Sequence, residues 1–309
     1  MRGRGAGASD GGRDVSGNER ELPFTALSWG GGQQSTAILV ASTLGLTISG
    51  YAFPRLDLAV FANTGSESQD TYTAIERVAE WARKRGADVR IIEGSHIRRG
   101  KTLGLPSLGD LTVARVTGDP RLDGKTTPQL PAFTKNPGGT RGRLNKDCTW
   151  DLKSVPIDQA VRRAAKDAGK RNTVTQLIGF GIEEVHRMRS NPHAKEGWTT
   201  AFPLIRAKMN RGATQTLCQE HLGFVPPPSA CVFCPFRGVA GWRELRDHHP
   251  EDWSEVLRVD AAIRDSSRAG IEHPVYLSDQ LVPVGKAIER DDKQLTLFGG
   301  ECDDGGCWT

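Results

Sequence analysis

The stretch Ser-Trp-Gly-Gly-Gly-Gln-Gln-Ser-Thr, residues 28–36, joins an apolar run at 24–27 to a run of helical character at 34–44. A strand, a glycine turn and a helix in this order bring the free N–H groups of the first helical turn against the glycines. Glycine lets the backbone approach a ligand closely, and a helix N-terminus attracts an anion, most often a phosphate. The stretch therefore predicts a phosphate-binding turn; the alternative is a glycine turn without a ligand.

Outward from this turn, buried strands alternate with helices. The apolar patterns predict strands at 24–27, 56–62, 89–92 and 173–180, and helices at 34–44, 68–85 and 151–168. Strands separated by helices imply right-handed crossovers and a mostly parallel sheet, so the predicted fold class is α/β.

The composition divides the chain into four regions. We predict a disordered tail at 1–22, a nucleotide-binding α/β domain at 23–206, a helical region with cysteines at 207–290 and an acidic tail at 291–309. Inside the second region, residues 95–147 are rich in Gly, Pro, Lys and Arg, which predicts a long irregular substrate loop or lid.

Composition also narrows the class of protein. The 309-residue chain is 37% hydrophobic and 25% charged, and it contains no apolar run near the length of a membrane span. Its N-terminus lacks the apolar segment of a secretory signal. Six cysteines in so long a chain favour metal or redox chemistry in a reducing compartment. We therefore expect a cytoplasmic protein with no membrane partner.

Positive charge is concentrated in one part of the chain. The net charge is only +4, but residues 97–150 contain ten Lys or Arg against four Asp, a local net charge of +6. Such a segment suits a polyanion or a nucleotide. A solvated loop is the alternative.

Three polar stretches are placed where predicted strands end, at 28–36, 61–67 and 179–188. In open parallel sheets, ligands bind beyond the carboxyl ends of the strands. The second stretch contains Asn63, Thr64 and Gly65, and the third contains Gly181, Glu184 and Arg187. An arginine there would stabilise charge on a transferring phosphoryl group. The alternative is that Glu184 and Arg187 form an ordinary surface pair.

The cysteines form a second group of candidate functional residues. Cys231 and Cys234 make a CxxC closed by a proline, with Cys218 and Cys148 upstream. Four thiolates can hold zinc or an iron–sulfur cluster. Zinc sites usually add a second CxxC or a pair of histidines, whereas here the other two cysteines are scattered, which favours a cluster and keeps zinc as the alternative.

The glycine stretch resembles the PP-loop of the ATP pyrophosphatases and phosphoadenylylsulfate (PAPS) reductases, whose usual form is Ser-Gly-Gly-x-Asp-Ser. Gly31, Gly32 and Ser35 match this pattern, whereas Gly30 stands in place of the first Ser and Gln34 in place of the Asp. Residues 61–67 resemble the family's Ala-Asp-Thr-Gly-x-Glu, with Asn63 in place of the Asp. Two carboxylates are therefore absent, and the role of Mg²⁺ as a further cofactor is left open.

The cysteine pattern, with Thr149, Lys153 and Pro156 following Cys148, is closest to the sulfur-incorporating ATP pyrophosphatases of DNA phosphorothioation systems. The resemblance covers residues 24–270. It implies a Rossmann-like adenine-nucleotide α-hydrolase fold and a 4Fe-4S cluster on Cys148, Cys218, Cys231 and Cys234. The implied reaction cleaves ATP between its α and β phosphates to activate a substrate for sulfur incorporation. DNA or tRNA would be the acceptor, and a cysteine desulfurase or similar enzyme the sulfur donor.

The resemblance also implies roles for individual residues. Glu184 and Arg187 would be catalytic, and ATP or another adenylyl nucleotide would bind Ser28, Gly30, Gly31, Gly32, Gln33, Gln34, Ser35, Thr36, Asn63, Thr64, Gly65 and Gly181. Two other functions stay open. One is a sulfonucleotide reductase, because Cys302 lies in a Glu-Cys tail segment and Cys307 follows it. The other is a nucleotide-binding, cluster-bearing partner protein with degraded catalysis.

Overall fold

The computed structural model of the protein describes residues 22–170, 172–190 and 197–297. The strands in these ranges are β1 (Phe24–Ser28), β2 (Thr47–Ile48), β3 (Tyr51–Ala52), β4 (Leu58–Asn63), β5 (Val89–Glu93), β6 (Phe133–Lys135), β7 (Arg141–Arg143), β8 (Val174–Leu177) and β9 (Trp198–Ala201). The α-helices are α1 (Gln33–Leu44), α2 (Gln69–Arg83), α3 (Ser95–Thr102), α4 (Leu108–Thr117), α5 (Asp147–Thr149), α6 (Val155–Asp167), α7 (Pro203–Arg206), α8 (Arg211–Leu222), α9 (Gly238–His248), α10 (Pro250–Ala262) and α11 (Val284–Leu297).

The core of the fold is a five-stranded sheet in the order β5-β4-β1-β8-β9, and every pair in it is parallel. The predicted α/β class with a parallel sheet is therefore confirmed. The chain moves from β1 to β4 and β5 on one side and later adds β8 and β9 on the other, so strand order reverses beside β1. The glycine turn that follows β1 lies at this reversal, where open α/β sheets bind ligands.

Apolar side chains cover both faces of the sheet. On one face, α1, α2 and α8 bury Leu27, Ile38 and Phe61 in one hydrophobic cluster. On the other face, α6 packs Ile157 and Val161 onto Phe24 and Leu58. The predicted elements 24–27, 34–44, 68–85 and 89–92 agree with β1, α1, α2 and β5 to within two residues. The hairpin β2–β3 and the edge strand β9 were not predicted, because their strands are only two to four residues long.

Residues 95–147 are not the long irregular loop that their composition predicts. They form α3, α4, a 3₁₀ helix at Pro120–Leu122 and the antiparallel hairpin β6–β7. Leu108 and Leu111 of α4 are buried in a separate core with Val256 and Val259 of α10. Ser107 caps α4 by accepting a hydrogen bond from the Asp110 N–H. Short helices between glycines and prolines give little periodic signal, which is why the composition is misleading here.

The helix that carries Cys148 contains an irregular turn. α5 continues through a π-helical turn, Trp150–Ser154, directly into α6. π-Helical turns are rare and are frequent at functional sites. The helix predicted at 151–168 therefore begins earlier than expected and includes Cys148 in its first turn.

The predicted acidic tail at 291–309 begins inside α11, where Asp291 and Asp292 both form ion pairs with Arg243 of α9. Residues 298–309, with Cys302 and Cys307, lie outside the described residues, as does the predicted N-terminal tail except for Leu22. Within the described ranges, no helix combines the length and the apolar character needed to cross a membrane.

Candidate phosphate-binding pocket and thiol site

The glycine turn is shaped by the core beneath it. Gly31 has a φ of +78°, which disfavours other residues, and a Cβ there would lie 3.0 Å from Ile75 and 3.2 Å from Phe61. Gly31 is thus required by the turn and by packing, and it does not line the pocket above the turn.

The helix after the turn has an open N-terminus. Gly32 is the N-cap of α1, no side chain caps the helix, and its first turn contains no acidic residue. The N–H groups and the positive end of the dipole are therefore available to an anion. Two hydroxyls are fixed beside it: that of Ser35 accepts from the Gly30 N–H at 3.1 Å, and that of Ser28 accepts from the Gln176 amide at 2.8 Å.

A pocket of about 350 Å³ opens at this N-terminus. It is bounded by the turn, by the end of β8 and by residues from two later segments. Its lining is Ser28, Gly30, Gly32, Gln33, Gln34, Ser35, Ile178, Gly179, Phe180, Arg187, Arg211, Pro228 and Ser229. Two arginines facing an uncapped helix N-terminus make this a suitable site for an anion with several negative charges.

Six residues predicted to bind nucleotide do not line this pocket: Gly31, Thr36, Asn63, Thr64, Gly65 and Gly181. Thr36 is fully buried, and its hydroxyl accepts from the Trp29 indole at 3.0 Å. The Asn63 side-chain oxygen accepts from the Gly65 N–H and from the Tyr72 hydroxyl. Gly181 lies against the Gln34 amide, just behind the pocket.

The predicted pair Glu184 and Arg187 is present, in a 3₁₀ segment at Ile182–Ser190. The Arg187 guanidinium donates to one oxygen of Glu184, and the Gln34 amide donates to the other at 2.7 Å. The pair is therefore tied to the glycine turn and is more than an isolated surface contact. Arg187 also lies over the Phe180 ring, 4.3 Å from its centroid.

Beside the pocket lies a group of three cysteines, defined here as the thiol site: Cys148, Cys231 and Cys234. Cys231 pairs with Glu67 in an isolated antiparallel bridge, which ties the CxxC to the end of the sheet. Burial raises the pKa of the Cys148 thiol, and the neighbouring Cys234 raises it further. Burial and then Glu67 raise the pKa of Cys231 to about 12. The three thiols are near one another and are neutral at physiological pH.

Cys218 does not join the thiol site. It is fully buried on α8 in the core between α1 and α8, where its sulfur is 3.8 Å from the Gln33 carbonyl oxygen. Burial alone raises its pKa to about 12. Among the residues that the structure describes, no three or more His, Cys, Asp or Glu side chains are arranged to hold a metal ion. This arrangement does not fit a cluster held by all four cysteines, and no step of the function proposed below depends on one.

The positions of Cys218 and Cys234 predict different effects on metal content when each is replaced. We expect Cys218→Ala to leave the iron content of anaerobically purified protein unchanged and to lower stability by about 1–2 kcal/mol through the lost core packing. Cys234→Ala should lower the iron content. Loss of iron from Cys218→Ala would support the four-cysteine set instead, and wild-type protein free of iron would show that the cluster prediction is wrong.

A buried ion pair connects the pocket to the thiol site. Glu67 has a side chain with no solvent exposure, and it accepts from the Lys153 ammonium at 2.9 Å and from the Ser229 hydroxyl at 3.3 Å. Burial disfavours the charge of Lys153, but Glu67 and Cys231 together raise its pKa above the ordinary value. Glu67 is the final residue of the 61–67 stretch and matches the Glu of the family's Ala-Asp-Thr-Gly-x-Glu, but the sequence analysis assigned it no role. Ser229 was not predicted, and its one signal is that it precedes the CxxC.

Arg211 was also missed. It begins α8 directly after the N-cap Asn210, and its N–H donates to Glu183 at 2.9 Å. An Asn-Arg pair at a helix start predicts a cap but does not indicate which pocket the arginine would reach.

Part of the basic excess at 97–150 is paired. Arg99, Lys101, Arg121 and Arg141 form ion pairs with Asp or Glu. Arg143 and Lys146 instead lie over the exposed ring of Phe236, at 5.7 and 4.9 Å from its centroid. Two of the basic residues of this segment, Arg143 and Lys146, therefore lie next to the thiol site.

A second pocket, of about 420 Å³, is lined by residues that include Ser42, Phe53, Arg55 and Arg85. It adjoins the C-terminus of α1, whose dipole repels anions. The pocket at the glycine turn combines a helix N-terminus, hydroxyls and arginines, so we assign the functional site there.

Comparison of the chain with protein-family models, curated proteins and solved structures finds no match.

Proposed function

We propose that the pocket at the glycine turn binds the phosphates of an adenine nucleotide. The observation that supports this most is the uncapped N-terminus of α1, which opens into a pocket lined by Arg187 and Arg211. Its N–H groups, the hydroxyls of Ser28 and Ser35 and the two guanidiniums are donors that suit phosphate oxygens. The position at the strand-order reversal agrees with this role.

We propose further that the protein is a PP-loop ATP pyrophosphatase-like enzyme with the Rossmann-like adenine-nucleotide α-hydrolase fold. An oxygen of the acceptor attacks the α-phosphorus of ATP, the bond to the β-phosphate oxygen breaks, and pyrophosphate leaves. A sulfur nucleophile then attacks the adenylated acceptor, whose oxygen leaves with AMP. When sulfur arrives at the oxidation level of sulfide, both steps are displacements that need neither an oxidant nor a reductant.

In this proposal Arg187 stabilises the negative charge that develops on the phosphates, and Glu184 holds its guanidinium in place. Gln34 and Asn63 stand where the resemblance would place carboxylates, and both side chains are already hydrogen-bonded within the protein. The chain's own donors therefore supply most of the charge neutralisation, with Mg²⁺ brought by the nucleotide as a further candidate.

The thiol site is the proposed place of sulfur handling. Ser229 approaches the glycine turn, since a Cβ on Gly32 would lie 3.2 Å from the Ser229 backbone nitrogen, and Cys231 follows two residues later. The acceptor would approach over Arg143, Lys146 and the exposed rings of Phe236 and Trp150. Basic and aromatic side chains together suit a nucleic acid such as DNA or tRNA. A cysteine desulfurase is the proposed type of sulfur donor. Its persulfide sulfur is first reduced to sulfide by a low-molecular-weight dithiol, which becomes a disulfide, and the sulfide then displaces the oxygen.

Product analysis tests this function. Anaerobic protein is incubated with labelled ATP, with and without plasmid DNA or bulk tRNA, and the products are separated. We expect AMP and pyrophosphate to appear together and Arg187→Met to slow their release by about 100-fold. ADP and phosphate would contradict α–β cleavage. Sulfite released from adenylylsulfate without ATP turnover would favour the reductase, and ATP binding without any turnover would favour a non-catalytic partner protein.

A further inference from the structure

A chain of hydrogen bonds runs from the glycine turn to the edge of the pocket. The Gln34 amide nitrogen donates to Glu184 at 2.7 Å, and the Arg187 guanidinium donates to the other carboxylate oxygen. Gln34 and Glu184 are 150 residues apart in the chain, so this contact exists only in the folded protein. Glu184 is therefore oriented from two sides.

Arg187 is restrained on a second side by aromatic rings. Its guanidinium lies over Phe180 at 4.3 Å from the ring centroid, and Phe180 stacks on Phe202 with centroids 5.6 Å apart and planes at 13°. A planar guanidinium held by a carboxylate and a ring has few remaining orientations. Arg187 also lines the pocket at the glycine turn.

The identity of residue 34 matters for this arrangement. A carboxylate at residue 34 would face the carboxylate of Glu184, and two like charges at hydrogen-bond distance oppose each other's ionisation. An amide donates instead, and so occupies one oxygen of Glu184 and leaves the other oxygen for Arg187. A glutamine here suits a site that positions an arginine, whereas an aspartate would suit a site that binds a cation.

We propose that Gln34 is a positioning residue that acts through Glu184 to aim Arg187 at the phosphates of the bound nucleotide. The inference rests on the proposed nucleotide-binding role of the pocket. Gln34 should therefore increase the affinity for the phosphates of the ligand and leave the affinity for adenosine unchanged. Its effect on ATP affinity should also require the presence of Arg187.

A double-mutant cycle tests the dependence on Arg187. Gln34→Met removes the donor while keeping the side-chain length, and ATP affinity should fall about 10-fold, the size expected for a hydrogen bond to a charged group. Arg187→Met should reduce ATP affinity by about 30-fold. In the Arg187→Met background, Gln34→Met should cost less than about twofold, because coupled residues are not additive. Gln159→Met, on an exposed position of α6, is the matched control and should bind ATP like wild type.

Two further readouts separate positioning from general damage to the fold. The affinity for tripolyphosphate should fall with that for ATP in Gln34→Met, whereas the affinity for adenosine should not change.

The outcomes distinguish this inference from the proposed function. Wild-type protein that binds neither ATP nor tripolyphosphate contradicts both. Wild-type protein that binds ATP, but in which the losses from Gln34→Met and Arg187→Met simply multiply, contradicts the inference alone. An equal loss of adenosine and ATP affinity in Gln34→Met also overturns it, since that pattern indicates a structural role.

Discussion

Replacing Lys153 with Met is expected to destabilise the folded protein by about 3 kcal/mol, because it leaves the Glu67 carboxylate buried without its counter-charge. Glu67 has no solvent exposure and lies at the junction of the sheet and the CxxC segment. This loss of stability is at the low end of the range for a broken buried ion pair, because 32% of the Lys153 side chain is exposed. Urea denaturation of metal-free protein at pH 7 measures the change.

Lys101→Met is the matched control. Lys101 pairs with Glu93 at the surface, with 46% of the Lys101 side chain exposed, and an exposed pair contributes about 0–1 kcal/mol. Adding Glu67→Gln to Lys153→Met should recover part of the stability, because the buried negative charge is then removed. Equal losses in Lys153→Met and Lys101→Met would contradict the account of Glu67 as a buried charge that needs Lys153.

The second large effect is expected at Gly179, where β8 passes the start of α1. A Cβ on Gly179 would lie 2.8 Å from the backbone nitrogen of Ser35 and 3.0 Å from its Cα, distances that require the helix N-terminus to move. Since backbone cannot rotate away as a side chain can, Gly179→Ala should displace the N–H groups that we assign to the phosphates. We expect ATP affinity to fall by at least about 30-fold, which corresponds to about 2 kcal/mol of binding free energy.

Gly285→Ala provides the comparison for this change. Gly285 lies in α11, and a Cβ there would meet nothing within 4 Å, so alanine should leave ATP affinity unchanged and stabilise the helix by about 0.5–1 kcal/mol. Fluorescence titration with a labelled ATP analogue measures both variants, and thermal melts report whether each is folded. A folded Gly179→Ala protein with wild-type affinity would place the nucleotide away from the N-terminus of α1.

The first half of the fold could be predicted because its signals are local. The apolar run, the glycines and the amphipathic pattern of α2 are each contained within about twenty residues, and β1, α1, α2 and β5 were found where these patterns placed them. Ser28, Gly32 and Ser35, which the same reasoning predicted to bind nucleotide, line the pocket, since a turn between a strand and a helix determines its own geometry.

What could not be predicted depends on contacts between distant segments. The resemblance implies that Cys218 is a ligand, whereas in the structure α8 packs against α1 and Cys218 is buried in the core. The thiols of Cys148 and Cys234 are far apart in the sequence and become neighbours only in the folded chain. The bond between Gln34 and Glu184 joins two segments whose order alone gives no distance. Composition likewise failed at 95–147, where a core shared with α10 orders the segment.

Calorimetric titration of wild-type protein with ATP tests whether the pocket at the N-terminus of α1 binds the phosphates of the nucleotide. ATP is titrated into the protein alone and then in the presence of excess tripolyphosphate or excess adenosine. We expect tripolyphosphate to displace ATP, because the donors of the pocket are matched to phosphate oxygens, and adenosine to do so far less effectively. No heat of ATP binding, or competition by adenosine but none by tripolyphosphate, would contradict this role of the pocket.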